Sequence, residues 1–256
     1  TPPKFQGKIV MITGGSGTIG FAIAKAFSKL GAQTILVDKD EIALKESVAK
    51  LGVGHKYFPI DVTHSDAANQ AMLAAINNFG GLDILISNAG AAHAGPMLGI
   101  SNEELRNAFE INFFSHYSFS TEAAKILKDQ NRGGQILFNI SKQAVNPGKN
   151  FGAYGLPKAT TFFLMRQLAL ELGSDGIRVN GINADRIRSG LLTDDFISSR
   201  AKSRGVSESE YMAGNLLNKE VTAEHVADAF TALACAESTT GHVMTVDGGN
   251  VEASLR

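Results

Sequence analysis

The 256-residue sequence predicts a doubly wound α/β fold, one parallel sheet with helices on both faces. Three observations carry this. Short apolar runs alternate with longer stretches of helical periodicity along the whole chain, as repeated βαβ units require. The 27 glycines, about one residue in ten against a usual ~7%, punctuate that alternation instead of gathering in a linker. No internal repeat, low-complexity tract or inter-domain linker interrupts it, so residues 1–256 read as a single domain.

Each element has its own signal. Residues 8–13 (KIVMIT) form a buried first strand, and residues 19–30 a helix with Ala22, Ile23, Ala26, Phe27 and Leu30 on one face, stopped by Gly31. Residues 34–37 (TILV) are a second strand, 41–51 a second helix, and 56–61 a third strand ending on Asp61. A helix near 65–78 leads to the fourth strand, 82–87 (LDILIS), and a long helical region over 102–129 to the fifth, 135–140 (QILFNI). A helix over 152–173, a strand at 178–182, a helix over 221–234 and a last strand, VMTV at 243–246, complete the set. The polar, mixed-charge stretch of about 185–219 breaks the alternation, and an insertion of that length between core elements reads as a functional lid.

Composition excludes several classes. Twenty-four Lys and Arg balance 25 Asp and Glu, a formal net charge of −1, which argues against nucleic-acid binding. The single cysteine, Cys235, closes no intrachain disulfide, and no paired Cys/His spacing suggests a metal, so a reducing, cytoplasmic setting is expected. No apolar run of about 18 residues occurs, and the start at Thr1 to Lys4 lacks the apolar core of a signal peptide, so neither membrane spanning nor export is expected. A first residue other than methionine is compatible with a processed chain or a fragment.

Gly15-Ser16-Gly17-Thr18-Ile19-Gly20 lies directly between the first strand and the first helix. In that setting the first glycine permits a tight turn, the second admits a pyrophosphate, and the third lets helix and strand pack, while the helix start offers N–H groups to the anion. Asp38 ends the second strand 18 residues beyond Gly20, where a carboxylate accepts from ribose hydroxyls and repels a 2′-phosphate. NAD is therefore expected over NADP, with neighbouring Lys39 as the competing detail.

Tyr154 and Lys158 stand four residues apart at the start of the helix after strand five, on one face, where a lysine ammonium favours the phenolate of a general base. Ser141 lies 13 residues earlier, just past strand five, where open α/β sheets bind ligands. The glycine turn, Asn88-Ala89-Gly90, Asn112, Ser141, Tyr154, Lys158 and Thr245-Val246-Asp247-Gly248-Gly249 occur together and in order. That set resembles the short-chain dehydrogenase/reductase family over essentially the whole chain.

The resemblance implies a Rossmann-type fold and reversible hydride transfer between NAD and a secondary alcohol or its ketone. It implies that Tyr154 is the base, that Lys158 lowers its pKa and binds the nicotinamide ribose, that Ser141 holds the substrate oxygen, and that Asn112 orders a proton-relay water. Gly14, Ser16, Gly17, Thr18 and Ile19 would belong to the phosphate turn, Asp61 and Val62 to the adenine, Asn88, Ala89 and Gly90 to the adenosine side, and Ile187 and Ser189 to the carboxamide end.

Four departures from the family pattern stand out. Thr18 replaces a usual glycine, a spacing shared with nucleotide-sugar epimerases; Ala184-Asp185 replaces the usual Pro-Gly; and Pro157 precedes Lys158, so the helix is expected to begin near Tyr154 or kink. The fourth is the polar run from Ser141 to Asn150. With the insertion and Thr239-Thr240-Gly241, it is similar to the dehydrogenase half of bifunctional aldolase/short-chain dehydrogenases of sugar catabolism. The implied substrate is a small sugar, polyol or hydroxy-aldehyde, with Gln143, Asn146 and Asn150 meeting hydroxyls, Lys142 or Lys149 a phosphate or carboxylate, and His93 nearby. A solvated polar loop is the plain alternative.

Two other functional readings stay open. One is a dinucleotide-binding regulatory protein with retired chemistry, against which the intact Asn112, Ser141, Tyr154 and Lys158 speak. The other is a sugar epimerase or dehydratase that retains its NAD, marked by copurifying cofactor without net NADH release. Arg186, Arg188, Arg200, Lys202 and Arg204 are interleaved with acids and read as a solvated amphipathic lid. Phe109, Phe113, Phe114, Tyr117, Phe119, Phe162 and Phe163 crowd two long helices, which members of the resembled family pair across a dimer, so a homotetramer is expected.

Overall fold

In a computed structural model, which describes residues 4–250, the first strand β1 (Ile9–Thr13) is buried along its whole length. It has a parallel neighbour on each side: β2 (Gln33–Asp38) on one and β4 (Ile84–Ser87) on the other. Beyond β2 lies β3 (Lys56–Pro59); beyond β4 follow β5 (Gly134–Asn139), β6 (Ile177–Ala184) and β7 (Val243–Val246). The seven-stranded order is β3-β2-β1-β4-β5-β6-β7, parallel throughout. Strand order reverses between β1 and β4, and the crevice beyond their carboxyl ends is where such sheets take ligands.

Side chains alternate across the sheet and feed two cores. Val10, Ile12, Ile84 and Ile86 face the helices α1 (Thr18–Lys29) and α9 (Ala223–Cys235), packing on Phe27 and Phe230. Met11, Leu85, Ile136 and Phe138 face α3 (Ala67–Phe79), α5 (Ser115–Gln130) and α6 (Gly152–Leu172), packing on Phe119 and Met165. Both faces of the sheet being covered explains the near-continuous apolar runs of the inner strands. Helix α2 (Glu41–Leu51), capped by Asp40, completes the first face.

The structure sharpens three sequence expectations. The helical region over 102–129 is α4 (Asn102–Phe109), a π-helical turn at Glu110–Phe114, and α5. The helix carrying Tyr154 begins at Gly152, and Pro157 sits buried inside it. Proline supplies no N–H to the Ala153 carbonyl four residues back, so one bond is lost without ending the helix. The insertion folds as α7 (Asp194–Arg204) and α8 (Glu208–Met212), which bury Ile197, Ala201, Tyr211 and Met212 in a small core of their own. Among the described residues no helix is long and apolar enough to cross a membrane. Residues 1–3, read above for a signal peptide, lie outside the described residues.

Candidate active site

The crevice begins at the glycine turn. Gly14 has φ +64°, which glycine adopts freely, and its carbonyl accepts from Gly17 N at 3.1 Å. A Cβ on Gly15 would stand 2.8 Å from the Leu36 Cβ, and one on Gly20 would run into the Gly14 carbonyl. Helix α1 therefore packs against the strands at a distance only glycines permit. Gly17 caps it without a side-chain hydrogen bond, no acid occupies its first turn, and Thr18 stands exposed at its first position. Its N–H groups and positive dipole end are left for an anion.

Around this turn the other nucleotide-side residues are held by backbone bonds. The Asp38 carboxylate accepts from Ser16 N at 3.3 Å and Lys39 N at 2.8 Å, which sets it at the edge of the glycine turn. Asp61, just past β3, accepts from both the N–H and hydroxyl of Thr63, and these bonds draw its carboxyl below the usual carboxylate range; Val62 beside it is buried. Asn88 donates to the Thr13 carbonyl at 3.0 Å and accepts from Asn139 at 2.9 Å, while Thr13 Oγ1 accepts from Asn88 N and Ala89 N. Thr13 and Asn139, which sequence reasoning passed over, thus lace together the ends of β1, β4 and β5. Their places at strand carboxyl ends were the available signal.

Ser141, Tyr154, Lys158 and Asn112 come together where β5, the π turn and α6 meet. The Ser141 hydroxyl lies beside the Tyr154 hydroxyl, close enough to act on its ionisation. Burial pushes the Tyr154 phenol above its usual value near 10, and Ser141 opposes that shift. Lys158 Nζ lies 5.7 Å from the centre of the Tyr154 ring and donates to the Asn139 carbonyl at 3.1 Å. Lys158 is only 2% exposed, and burial brings its ammonium down to about 8. In this arrangement desolvation outweighs any help the ammonium gives the phenolate.

Asn112 sits in the π turn, fully buried. Its amide donates to the Ala91 carbonyl at 2.8 Å and accepts from Ala91 N at 3.2 Å, and Thr161 donates to its backbone carbonyl at 2.7 Å. A Cβ on Gly90 would lie 3.1 Å from Asn112 Oδ1 and 3.6 Å from Lys158 Nζ, so Gly90 lets these two approach. π turns concentrate at functional sites because the extra residue re-aims a side chain. Helical periodicity in the sequence carries no sign of it.

The group opens into a cavity of about 570 Å³ between the strand ends and the lid. Gln143, Asn146 and Lys149 line it, as do Ile187 and Ser189 on the lid side. His93 and Asn150 do not. Ala92 and Ala94 face the cavity on either side of His93, and Asn150 takes a left-handed turn at φ +68° with its carbonyl accepting from Gly95. Ser189 spends its hydroxyl accepting from Leu191 N and Leu192 N, shaping the lid's first turn.

Lys142, 5% exposed, meets internal carboxylates: Asp185 at 3.3 Å and Asp247 at 3.7 Å. Asn250 donates to the same Asp185 oxygen at 3.1 Å. The unusual Asp185 and the unusual Lys142 therefore answer one another, and Lys142 already has its counter-charge. Nor is the basic run of the lid wholly solvated. Arg186, Arg200 and Arg204 line the cavity, and the i,i+4 spacing of the last two on α7 was the signal for a shared face. Among the described residues no group of three His, Cys, Asp or Glu side chains could hold a metal ion.

Comparison with known proteins gives a consistent set of relatives. A family model described as enoyl-(acyl carrier protein) reductase matches residues 14–250. The chain is 33% identical to the uncharacterized oxidoreductase YuxG of Bacillus subtilis, covering 100% of this chain but 39% of that protein's length. It is 30% identical to secoisolariciresinol dehydrogenase of Forsythia intermedia, covering 96% of this chain and 90% of that one. A short-chain type dehydrogenase/reductase from Mycobacterium marinum superposes with a TM-score of 0.87 at 27% identity, covering 98% of each chain. A 3-ketoacyl-(acyl-carrier-protein) reductase from Brucella melitensis, complexed with NADH, gives 0.85 at 25% identity, covering 96% of this chain and 99% of that one.

Proposed function

The chain belongs to the short-chain dehydrogenase/reductase family, and on that premise we propose that it moves a hydride between NAD and a small polar secondary alcohol or its ketone. The observation that carries this reading is that Ser141 and Tyr154, with Lys158 beside the phenol ring, line one cavity with Ile19 at the uncapped start of α1.

A dinucleotide fits the residues present, because α1 starts on glycine with no side-chain cap and no acid in its first turn, leaving its N–H groups for a phosphate. Gly14, Ser16, Gly17, Thr18 and Ile19 would hold its phosphates, Asp38 its adenosine ribose, Asp61 and Val62 its adenine, Asn88, Ala89 and Gly90 the adenosine side, and Ile187 and Ser189 the carboxamide. The nicotinamide ring supplies the hydride acceptor or donor. Asp38 favours NAD, since a 2′-phosphate there would meet a carboxylate already fixed by two N–H bonds.

Tyr154 takes the carbinol proton, or returns it to the ketone, through its hydroxyl. Ser141 donates to the substrate oxygen and holds it within reach of that hydroxyl. Lys158, still largely an ammonium at neutral pH with its value near 8, stabilises the phenolate as it forms. Asn112, fixed by its amide bonds to Ala91 and set across Gly90 from Lys158, would order the relay water there.

Gln143, Asn146 and Lys149 on the cavity wall support a hydroxylated substrate, a small sugar, polyol or hydroxy-aldehyde. The similarity to the dehydrogenase half of bifunctional aldolase/short-chain dehydrogenases supports the same substrate class. Phe114, Tyr117, Leu156, Phe163 and Leu170 lie exposed on α5, α6 and the turn before α5, apolar surface that a cytoplasmic homotetramer would cover. Light scattering tests that assembly; a species near the chain mass of 27.1 kDa rules it out.

A screen for reduced cofactor release over sugars, polyols and short hydroxy acids, with NAD and NADP, tests the whole reading. Tyr154→Phe is expected to lower turnover at least ~10³-fold while NAD binding stays within twofold. Turnover retained in that variant removes Tyr154 from its role.

A further inference from the structure

The cavity wall carries more positive charge than the reaction needs. Lys142, Lys149, Arg186, Arg200 and Arg204 line it, against Asp185 as the lining acid, in a chain whose formal net charge is −1. Lys142 and Arg186 are answered within the protein, the first by Asp185 and Asp247, the second by Asp185 at 3.6 Å and the Tyr211 carbonyl at 2.6 Å. Elsewhere in the lid Arg188 is held by Asp194 and Glu220, both at 2.7 Å. Among the described residues Lys149, Arg200 and Arg204 have no carboxylate within ion-pair distance.

Arg200 is the best placed of these. Its guanidinium lies 5.5 Å from the centre of the Phe151 ring and 5.9 Å from that of Phe196, and the two rings meet edge to face at 5.7 Å. The rings fix the plane of the fork, and Arg200 Nε is buried without a hydrogen-bond partner. A buried guanidinium N–H with nothing to donate to is a costly arrangement unless a ligand supplies the acceptor. Phe151 caps α6 three residues before Tyr154, so the ring beneath the guanidinium belongs to the start of the helix that carries the phenol, and Arg200 and Tyr154 line one cavity.

We propose that the substrate carries an anionic group, a carboxylate or phosphate, beside the reacting carbinol, and that Arg200 receives it with Arg204 and Lys149 completing the charge. This rests on the dehydrogenase reading of the same cavity and narrows its substrate to short hydroxy acids or phosphorylated polyols. A planar arginine fork matches either anion through two parallel N–H bonds, and the cation–π platform orients it before the ligand arrives. The lid thereby acquires a specificity role: α7 closes the anionic end of the substrate while Ser141 and Tyr154 hold the alcohol end.

Calorimetric titration of the NADH-saturated enzyme with glycerol, glycerate and glycerol 3-phosphate tests this, since the three share a carbon skeleton and differ in charge. At least one anion is expected to bind tenfold or more tightly than glycerol, and the stronger of the two identifies the group. Arg200→Gln should erase that preference, weakening the preferred anion at least tenfold more than glycerol, and Arg200→Lys should keep part of it. Three affinities within twofold of each other in the unaltered enzyme overturn the proposal, whether or not the variants fold. So does an Arg200→Gln variant that weakens all three probes alike. A parallel assay of cofactor reduction separates the two readings. Anion preference without turnover of any alcohol discards the dehydrogenase and keeps the anion site, whereas glycerol oxidised as efficiently as both anions discards the anion site and keeps the dehydrogenase.

Discussion

Replacing Lys158 with methionine should make the cofactor-free protein more stable and inactive at once. Lys158 is 2% exposed, and burial alone brings its ammonium from 10.5 to about 8. Keeping it ionised inside the fold at pH 7 therefore costs about 3 kcal/mol. Methionine fills nearly the same volume without charge and forfeits the bond to the Asn139 carbonyl, worth ~1 kcal/mol. The net gain is about 2 kcal/mol, or roughly 4 to 8 °C in Tm for a chain of this size. The pH dependence has a definite sign. Below pH 8 the folded and unfolded chains both carry the proton and the full penalty applies; between about 8 and 10.5 the unfolded chain binds more protons, so the parent gains stability as pH rises. The gap between variant and parent should thus be largest below pH 8 and close by 10.5. Urea unfolding followed by circular dichroism at fixed protein concentration, from pH 7 to 10.5, measures it. A variant less stable than the parent at pH 7, or a gap that does not narrow with pH, refutes the assignment of the cost to the buried charge.

Three further outcomes follow from named contacts. Asp38→Ala removes the carboxylate bonded to Ser16 N and Lys39 N, and the kcat/KM ratio for NADP over NAD should rise at least tenfold; an unchanged ratio reduces Asp38 to a turn cap. Gly20→Ala forces a Cβ into the Gly14 carbonyl and should lower stability by ~2 to 4 kcal/mol and weaken NADH binding, as read by thermal unfolding and titration; an unaltered Tm refutes the close-approach argument. Asp185→Gly leaves buried Lys142 with Asp247 at 3.7 Å as its remaining carboxylate, and should destabilise by about 2 kcal/mol; a double variant that also carries Lys142→Met should recover most of that. Failure of the double variant to recover separates Asp185 from Lys142.

The local features were legible because they rest on spacing along the chain. A period of two or 3.6, a glycine string between a strand and a helix, and a Tyr and Lys four apart each fall within one element. Seven strands, their alternation with helices and the Ser141, Tyr154 and Lys158 set were all available on that basis. His93 and Asn150 show the limit: both lie in loops beside true cavity residues, and which way a loop side chain turns depends on a few φ values such as the +68° of Asn150.

The sequence by itself determined the winding of the sheet, the glycine turn and the shared face of Tyr154 and Lys158, because hydrophobic period and glycine placement act over ten residues or fewer. Only the tertiary structure decided how charges pair. Lys142 and Asp185 are 43 residues apart and Lys142 and Asp247 over a hundred, yet they share one counter-charge cluster, while Arg200, on the helix that Asp194 and Asp195 open, ends against two phenylalanine rings and not against an acid. A charge's partner is set by which strand ends and lid helices converge. That convergence turned a run read as solvated surface into the cationic wall of the cavity.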